Sequence, residues 1–138
     1  MIMKKYKFLE HTADIKFQVY GSSLNEIFEN TALAISEILA RDEKIKIKTK
    51  KKIAVEGKDL ESLLYNFIEE LLFFLDAKNF VIAKAKLKVD KKNFKITGEL
   101  FGDKTEDYHL DHIKAATYAE IYVKKTIGGW EAQTVVDV

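Results

Sequence analysis

Apolar and polar residues alternate with a period of two over several stretches of this chain and switch twice to helical spacing. Tyr6 and Phe8 alternate with Lys5 and Lys7, then Ile15, Phe17 and Val19 alternate with Lys16, Gln18 and Tyr20. This predicts two half-buried strands around a tight turn at positions 10–14. Gly21 ends the second strand, and Ser23 with Glu26 three residues later matches a capping box. From there Leu24, Ile27, Phe28, Thr31, Ala34, Ile35, Ile38 and Leu39 recur on one face, predicting a helix of roughly four turns. Alternation resumes over positions 45–55 and stops at Gly57. Asp59 is placed to cap a second helix, whose stripe of Leu60, Leu63, Leu64, Phe67, Ile68, Leu71, Leu72 and Leu75 makes it the central core helix.

Further on, Val81, Ala83, Ala85, Leu87 and Val89 alternate with Lys84, Lys86 and Lys88. Asp90-Lys91-Lys92-Asn93 reverses the chain into Phe94, Ile96 and Leu100, a predicted hairpin. A polar loop follows at positions 103–111. Thr117, Ala119, Ile121 and Val123 then alternate with Tyr118, Glu120 and Tyr122, and Gly128-Gly129 turns the chain into a last strand at 130–136. No internal repeat or linker stands out. Strands outnumber helices and join mainly through hairpins. The expected class is α+β, with two helices on one face of a mixed, largely hairpin-connected β-sheet, in a single compact domain over residues 1–138.

Composition narrows the function. With 47% hydrophobic and 33% charged residues the chain has the balance of a globular protein. No apolar run is long enough to span a membrane, and the N-terminus lacks the apolar core of a signal peptide, so a cytoplasmic location is expected. The absence of Cys excludes disulfides, zinc–thiolate sites and thiol catalysis. Net charge is +1 and Arg41 is the only Arg, which argues against a nucleic-acid groove as the main business of the domain. The basic run from Lys44 to Lys52 reads as a strand with a Lys-lined wet face, a common protection for a sheet edge. Zero Pro with many Lys and Glu points to a thermophilic source.

Four constellations could carry chemistry. His11 and Asp14 lie in the first turn, and Asp137-Val138 closes the chain. If the first and last strands are neighbours, Asp14 and Asp137 meet at one edge of the sheet, and a terminal oxygen of Val138 joins them. Such oxygen ligands suit Ca²⁺ or Mg²⁺ rather than Zn²⁺. An Asx-type turn at Asp14 and a frayed, solvated Asp137 are the competing readings. His109, Asp111 and His112 lie close enough in sequence for a metal-dependent hydrolase, though two solvated loop imidazoles are as compatible with the pattern. Lys114, between apolar neighbours at the mouth of a strand, is placed either to bind a phosphate or carboxylate or simply to snorkel. Phe73 and Phe74 extend the apolar surface of the second helix, as core or as a surface for a partner in a chaperone-like module. No Gly-rich phosphate loop, nucleophile elbow or acid/base carboxylate pair occurs.

Taken together, five stretches in order resemble the archease family over essentially the whole chain. They are Glu10-His11-Thr12-Ala13-Asp14-Ile15; Gly21 with Leu24-Asn25-Glu26-Ile27-Phe28-Glu29; and Leu63-Leu64 with Phe67-Ile68-Glu69-Glu70-Leu71-Leu72. Gly98-Glu99 with Ile113-Lys114-Ala115-Ala116-Thr117-Tyr118, and the closing Val136-Asp137-Val138, complete the set. The resemblance implies an accessory factor, not itself an enzyme. It would promote guanylylation of an RtcB-type tRNA-splicing RNA ligase with GTP and so its multiple turnover. It also implies a divalent metal, Ca²⁺ first with Mg²⁺ or Mn²⁺ as alternatives, on Asp14, Asp137 and Val138, with Lys114 and His11 as further functional residues. Two departures stand out. Ala119 occupies a position where many family members have His, and the loop from Gly102 to Ile113 does not match, so nothing carries over onto His109 or His112.

Overall fold

A computed structural model describes residues 4–9 and 14–138. In chain order the elements are β1 (Tyr6–Leu9), β2 (Asp14–Gly21), α1 (Leu24–Ala40), β3 (Thr49–Glu56) and α2 (Leu60–Lys78). They continue with β4 (Phe80–Asp90), β5 (Lys95–Lys104), a 3₁₀ turn (Thr105–Asp107), β6 (Ala115–Thr126) and β7 (Gly129–Asp137). The class is α+β, as the alternation predicts. The strands form two antiparallel sheets rather than one mixed sheet, a first of order β1-β2-β7-β6 and a second of order β3-β5-β4.

Both helices begin where capping chemistry places them. The Ser23 hydroxyl accepts from Glu26 N at 3.2 Å. The Glu26 carboxylate turns to the backbone N–H (3.0 Å) and hydroxyl of Ser22 instead of closing the expected box on Ser23. Those bonds from Ser22 hold the Glu26 carboxyl below the usual carboxylate range. At α2 the box is complete, between Asp59 and Ser62. Each helix buries one stripe, and Phe28 of α1 meets Phe67 of α2 edge to face at 5.7 Å, so one core serves both sheets.

The two halves share a plan that no sequence repeat announces. Tyr20, next to last in β2, and Glu56, last in β3, offer carbonyls that accept from Asn30 Nδ2 (2.6 Å) and Asn66 Nδ2 (3.0 Å), ten residues on in both cases. Gly21 and Gly57 sit at matching corners. A Cβ on Gly21 would lie 2.7 Å from Glu26 Cβ, and one on Gly57 would lie 2.7 Å from Leu63 N, so the first helical turn presses on a residue without a side chain. Each helix then seals an edge strand of the sheet that its own preceding strand does not join. Asn25 and Glu29 of α1 accept from Val89 N and Leu87 N of β4, both at 2.7 Å. Glu61 and Glu69 of α2 accept from Val123 N (3.1 Å) and Ala116 N (2.9 Å) of β6. Open edge amides invite pairing with other chains, and these helix side chains satisfy them.

Local departures have physical causes. β3 begins at Thr49 rather than near Ile45; Ile45 is buried in the approach, whereas Ile47 is half-exposed. The strand predicted at 117–123 is interrupted. Residues 118–121 of β6 face the single Thr134 of β7, and Glu120 adopts φ 54°. Thr117 consequently points away from the core while Val123 points into it, although strict alternation puts both on one face. The expected loop from Asp103 starts two residues late, because Asp103 and Lys104 complete β5.

Candidate functional site

The register of the two central strands of the first sheet brings the chain's distant ends together. Phe17 and Val19 of β2 and Ala132 and Val136 of β7 point into the core, so their alternating neighbours occupy the outer face. At one end of that face Asp14 lies directly opposite Asp137, and Ala115 of β6 lies on the other side of Asp137. The pair is therefore at the strand ends of the sheet's centre, not at a lateral edge. Directly opposed residues in an antiparallel pair have Cβ atoms roughly 5 Å apart, within reach of two carboxylates sharing one cation. Val138 follows immediately and is 38% exposed. His11 lies outside the described residues.

Lys114 enters the same corner. Its N–H donates to Asp137 O at 2.7 Å, the preceding Ile113 is buried, and the N–H of Ala116 is held by Glu69 of α2. The backbone is thereby fixed on both sides while Lys114 itself stays exposed. Glu69 is the residue that inspection of the sequence did not single out. Its position just past the buried Phe67-Ile68 pair was the available signal.

Beyond the aspartates the outer face is a ladder of paired side chains. Lys16 Nζ meets Glu120 Oε1 at 3.3 Å. In the next row Gln18 Nε2 donates to Gln133 Oε1 at 3.0 Å, and the Tyr20 hydroxyl donates to Gln18 Oε1 at 2.7 Å. Gln133 Nε2 reaches over to the Glu120 carbonyl at 2.8 Å, which pins the bulge. The Tyr122 hydroxyl donates to Glu131, and burial together with that carboxylate pushes the phenol well above its ordinary value. Burial and the Glu131 charge raise Tyr20 in the same direction. Tyr118, on the bulge, stacks on Tyr65 of α2 with ring centroids 4.2 Å apart.

The other constellations do not assemble. Among the described residues no group of three or more His, Cys, Asp or Glu gathers to hold a metal. His109 and His112 are exposed; the His109 N–H donates to Glu43, while Asp111 pairs with Arg41 and its N–H donates to Leu39 O. Asp111 is engaged by Arg41 and the Leu39 carbonyl, and His109, Asp111 and His112 do not form a metal-holding cluster among the described residues. Phe74 packs on Phe80 at 6.1 Å, whereas Phe73 is 50% exposed, so the pair divides between core and surface. A cleft of 370 Å³ lined by Lys48, Lys78, Asn79, Asp103 and Lys104 is a feature that the alternation gave no sign of. Within it the Tyr108 hydroxyl (2.6 Å) and the Lys104 N–H hold the buried Asp103 carboxyl below the usual carboxylate range.

Two carboxylates set opposite one another in register could hold a hard divalent cation. The model of the Archease protein family (MTH1598/TM1083) matches residues 6–138. The chain is 37% identical to the protein archease of Methanosarcina mazei, covering 98% of this chain and 97% of that one. It is 39% identical to that of Pyrococcus abyssi, covering 99% of this chain and 100% of that one. The solution structure of Methanobacterium thermoautotrophicum protein 1598 aligns with TM-score 0.78 at 31% identity, covering 99% of this chain and 100% of that one. The crystal structure of a Thermotoga maritima archease, described as a possible chaperone, shares the fold with TM-score 0.64 at 20% identity and covers 100% of this chain and 99% of that one. Fold and sequence agree, and the chain belongs to the archease family.

Proposed function

We propose that the chain is an accessory factor of an RtcB-type tRNA-splicing RNA ligase. It promotes guanylylation of the ligase with GTP and so its multiple turnover, with a divalent cation held by Asp14, Asp137 and Val138. Ca²⁺ is the first choice of ion, with Mg²⁺ and Mn²⁺ as alternatives. The observation that carries this reading is the register setting Asp14 opposite Asp137. Two carboxylates directly opposed across strands lie close enough to share one cation. When bound, the ion supplies positive charge at the end of the ladder. Asp14 and Asp137 would fix its position, and the ammonium of Lys114 would orient an anionic group of the ligase or nucleotide by charge alone. His11, a further functional residue of the family resemblance, belongs to the same turn of sequence as Asp14.

The test is multiple-turnover joining of tRNA halves by the matching ligase and GTP, with and without this protein. Stimulation should fall to the unstimulated level with Asp14→Ala and with Asp137→Ala. Full stimulation by both variants would overturn the cation's part, and no stimulation by the unaltered chain would overturn the accessory role. The exposed Phe73 favours a second reading, a chaperone-like interaction module. That reading predicts suppressed aggregation of unrelated proteins, lost in Phe73→Ser and insensitive to chelators.

A further inference from the structure

The outer face of the second sheet carries charges that edge protection does not explain. In register across β3, β5 and β4, Lys50, Phe101 and Lys84 form one row, Lys52, Glu99 and Lys86 the next, and Ala54, Thr97 and Lys88 a third, while Glu56, Lys95 and Asp90 make a fourth row with two carboxylates that bounds the basic patch at one end. These positions alternate with the core-facing Ile53, Ile96, Leu100, Ala85 and Leu87. Five exposed lysines thus share three rows with a single carboxylate, in a chain whose net charge is only +1. Lys50 Nζ reaches Glu99 at 3.2 Å, and Lys84 Nζ lies 5.8 Å from the centre of the Phe101 ring. Lysines on β3 are accounted for by its position at the sheet edge. Those on β4 are not, because Asn25 and Glu29 of α1 already satisfy amides of that edge.

Same-face lysines along one strand recur about every 6.7 Å, an evenly spaced line of point charges that suits a repeating anionic backbone. An aromatic ring on the middle strand, flanked in register by a lysine on each side, adds a surface on which a base can stack. An acidic protein segment would satisfy the charge but would not use the ring as a stacking surface. We propose that this face is a track for single-stranded nucleic acid, with Lys50, Lys52, Lys84, Lys86 and Lys88 holding phosphates and Phe101 stacking a base. Lysine contacts to phosphate carry no sequence information, and Arg41, the only arginine, lies off this face, so recognition is sequence-tolerant. The inference stands apart from the ligase reading and needs neither the ligase nor a metal.

Fluorescence anisotropy with a labelled oligouridylate of about 12 nucleotides, read over a salt series, tests it. Replacing Lys84, Lys86 and Lys88 together by Ala should flatten the slope of log K against log salt by about 2, at roughly 0.7 per phosphate contact on a single strand. A control replacing Lys7, Lys78 and Lys125 by Ala loses the same charge elsewhere and should leave the slope unchanged. Phe101→Leu should weaken oligouridylate binding about tenfold while leaving an abasic strand of equal length unaffected, with thermal midpoints confirming that each variant is folded. Three results would overturn the proposal: no binding at low salt, equal losses in the two triple variants, or a polyglutamate peptide that competes as well as oligouridylate. The last would assign the face to an acidic protein.

Discussion

The two sheets share one core and one strand-then-helix plan, yet their outer faces are built for different purposes. On the first, neighbouring side chains are tied to one another: Lys16 to Glu120, Gln18 to Gln133, Tyr122 to Glu131. Each tie fixes a geometry, and the ladder ends at Asp14 and Asp137, where the proposed cation site needs two oxygens in fixed positions. On the second, lysines project from three successive rows and stay exposed, with Lys50 alone of the five reaching a carboxylate of those rows, Glu99. A hydrogen-bonded face commits its side chains in advance, whereas a charged and solvated one keeps them adaptable. One shared strand-then-helix plan therefore supports a face of tied side chains on one sheet and a face of exposed charges on the other.

The comparison breaks if the halves are separable, so the largest test is of their union. Phe67 of α2 is fully buried against Phe28 of α1, between helices that seal opposite sheets. Phe67→Ala should cost about 3–5 kcal/mol, a large share of a typical domain's stability. Because the edge seals cross between sheets, thermal unfolding followed by near-UV and far-UV circular dichroism should remain one transition at a lower midpoint. Two transitions would show that each sheet folds with its own helix and that the interlocking is incidental.

A smaller effect separates the helices' edge seals from ordinary surface polarity. Glu69 accepts from the N–H of Ala116, which is 4% exposed, so Glu69→Ala strands a buried donor. The expected cost is about 1–3 kcal/mol, with faster amide exchange at Ala116, while Glu69→Gln keeps an acceptor oxygen and retains most of both. Equal behaviour of Ala and Gln would mean that the carboxylate's charge, not its acceptor role, matters here. Lys114 should lose positional restraint in the Ala variant, since its own N–H is bonded to Asp137 two residues from the same seal.

These seals mark where the sequence stops being readable. Strands, helices and caps follow from local rules, because alternation, helical stripes and the Ser23 and Asp59 signals act over a few residues. The pairing of Asp14 with Asp137 was legible as a conditional, since both sit at the ends of strands that could be neighbours. Its condition is met by β2 rather than β1. Asn25, Glu29, Glu61 and Glu69 look like solvated helix positions, and only the tertiary fold reveals the edge amides waiting for them. The bulge at 118–121 escaped because its residues keep alternating in sequence while the backbone gains extra residues over its partner. The two-sheet division escaped for a related reason. Period-two patterning says which face is buried but not which strand lies alongside.

The smallest expected effect is the one that most sharpens the contrast between the faces. Removing Lys84, Lys86 and Lys88 deletes three exposed ammonium groups from a strand whose core side, Ala85 and Leu87, is untouched and whose free edge remains sealed by α1. Stability should change by no more than about 0.5 kcal/mol per site, measured by urea unfolding with an unchanged dependence on denaturant. Relief of repulsion among neighbouring lysines would push the triple variant slightly upward at low salt, and that gain should fade as salt is added because exposed charges are screened. If the lysines were tied into the fold as the ladder of the first sheet is, the triple variant would instead lose stability, and would do so at any salt concentration. A stable triple variant that no longer binds oligouridylate would separate what the second face is for from what holds it together.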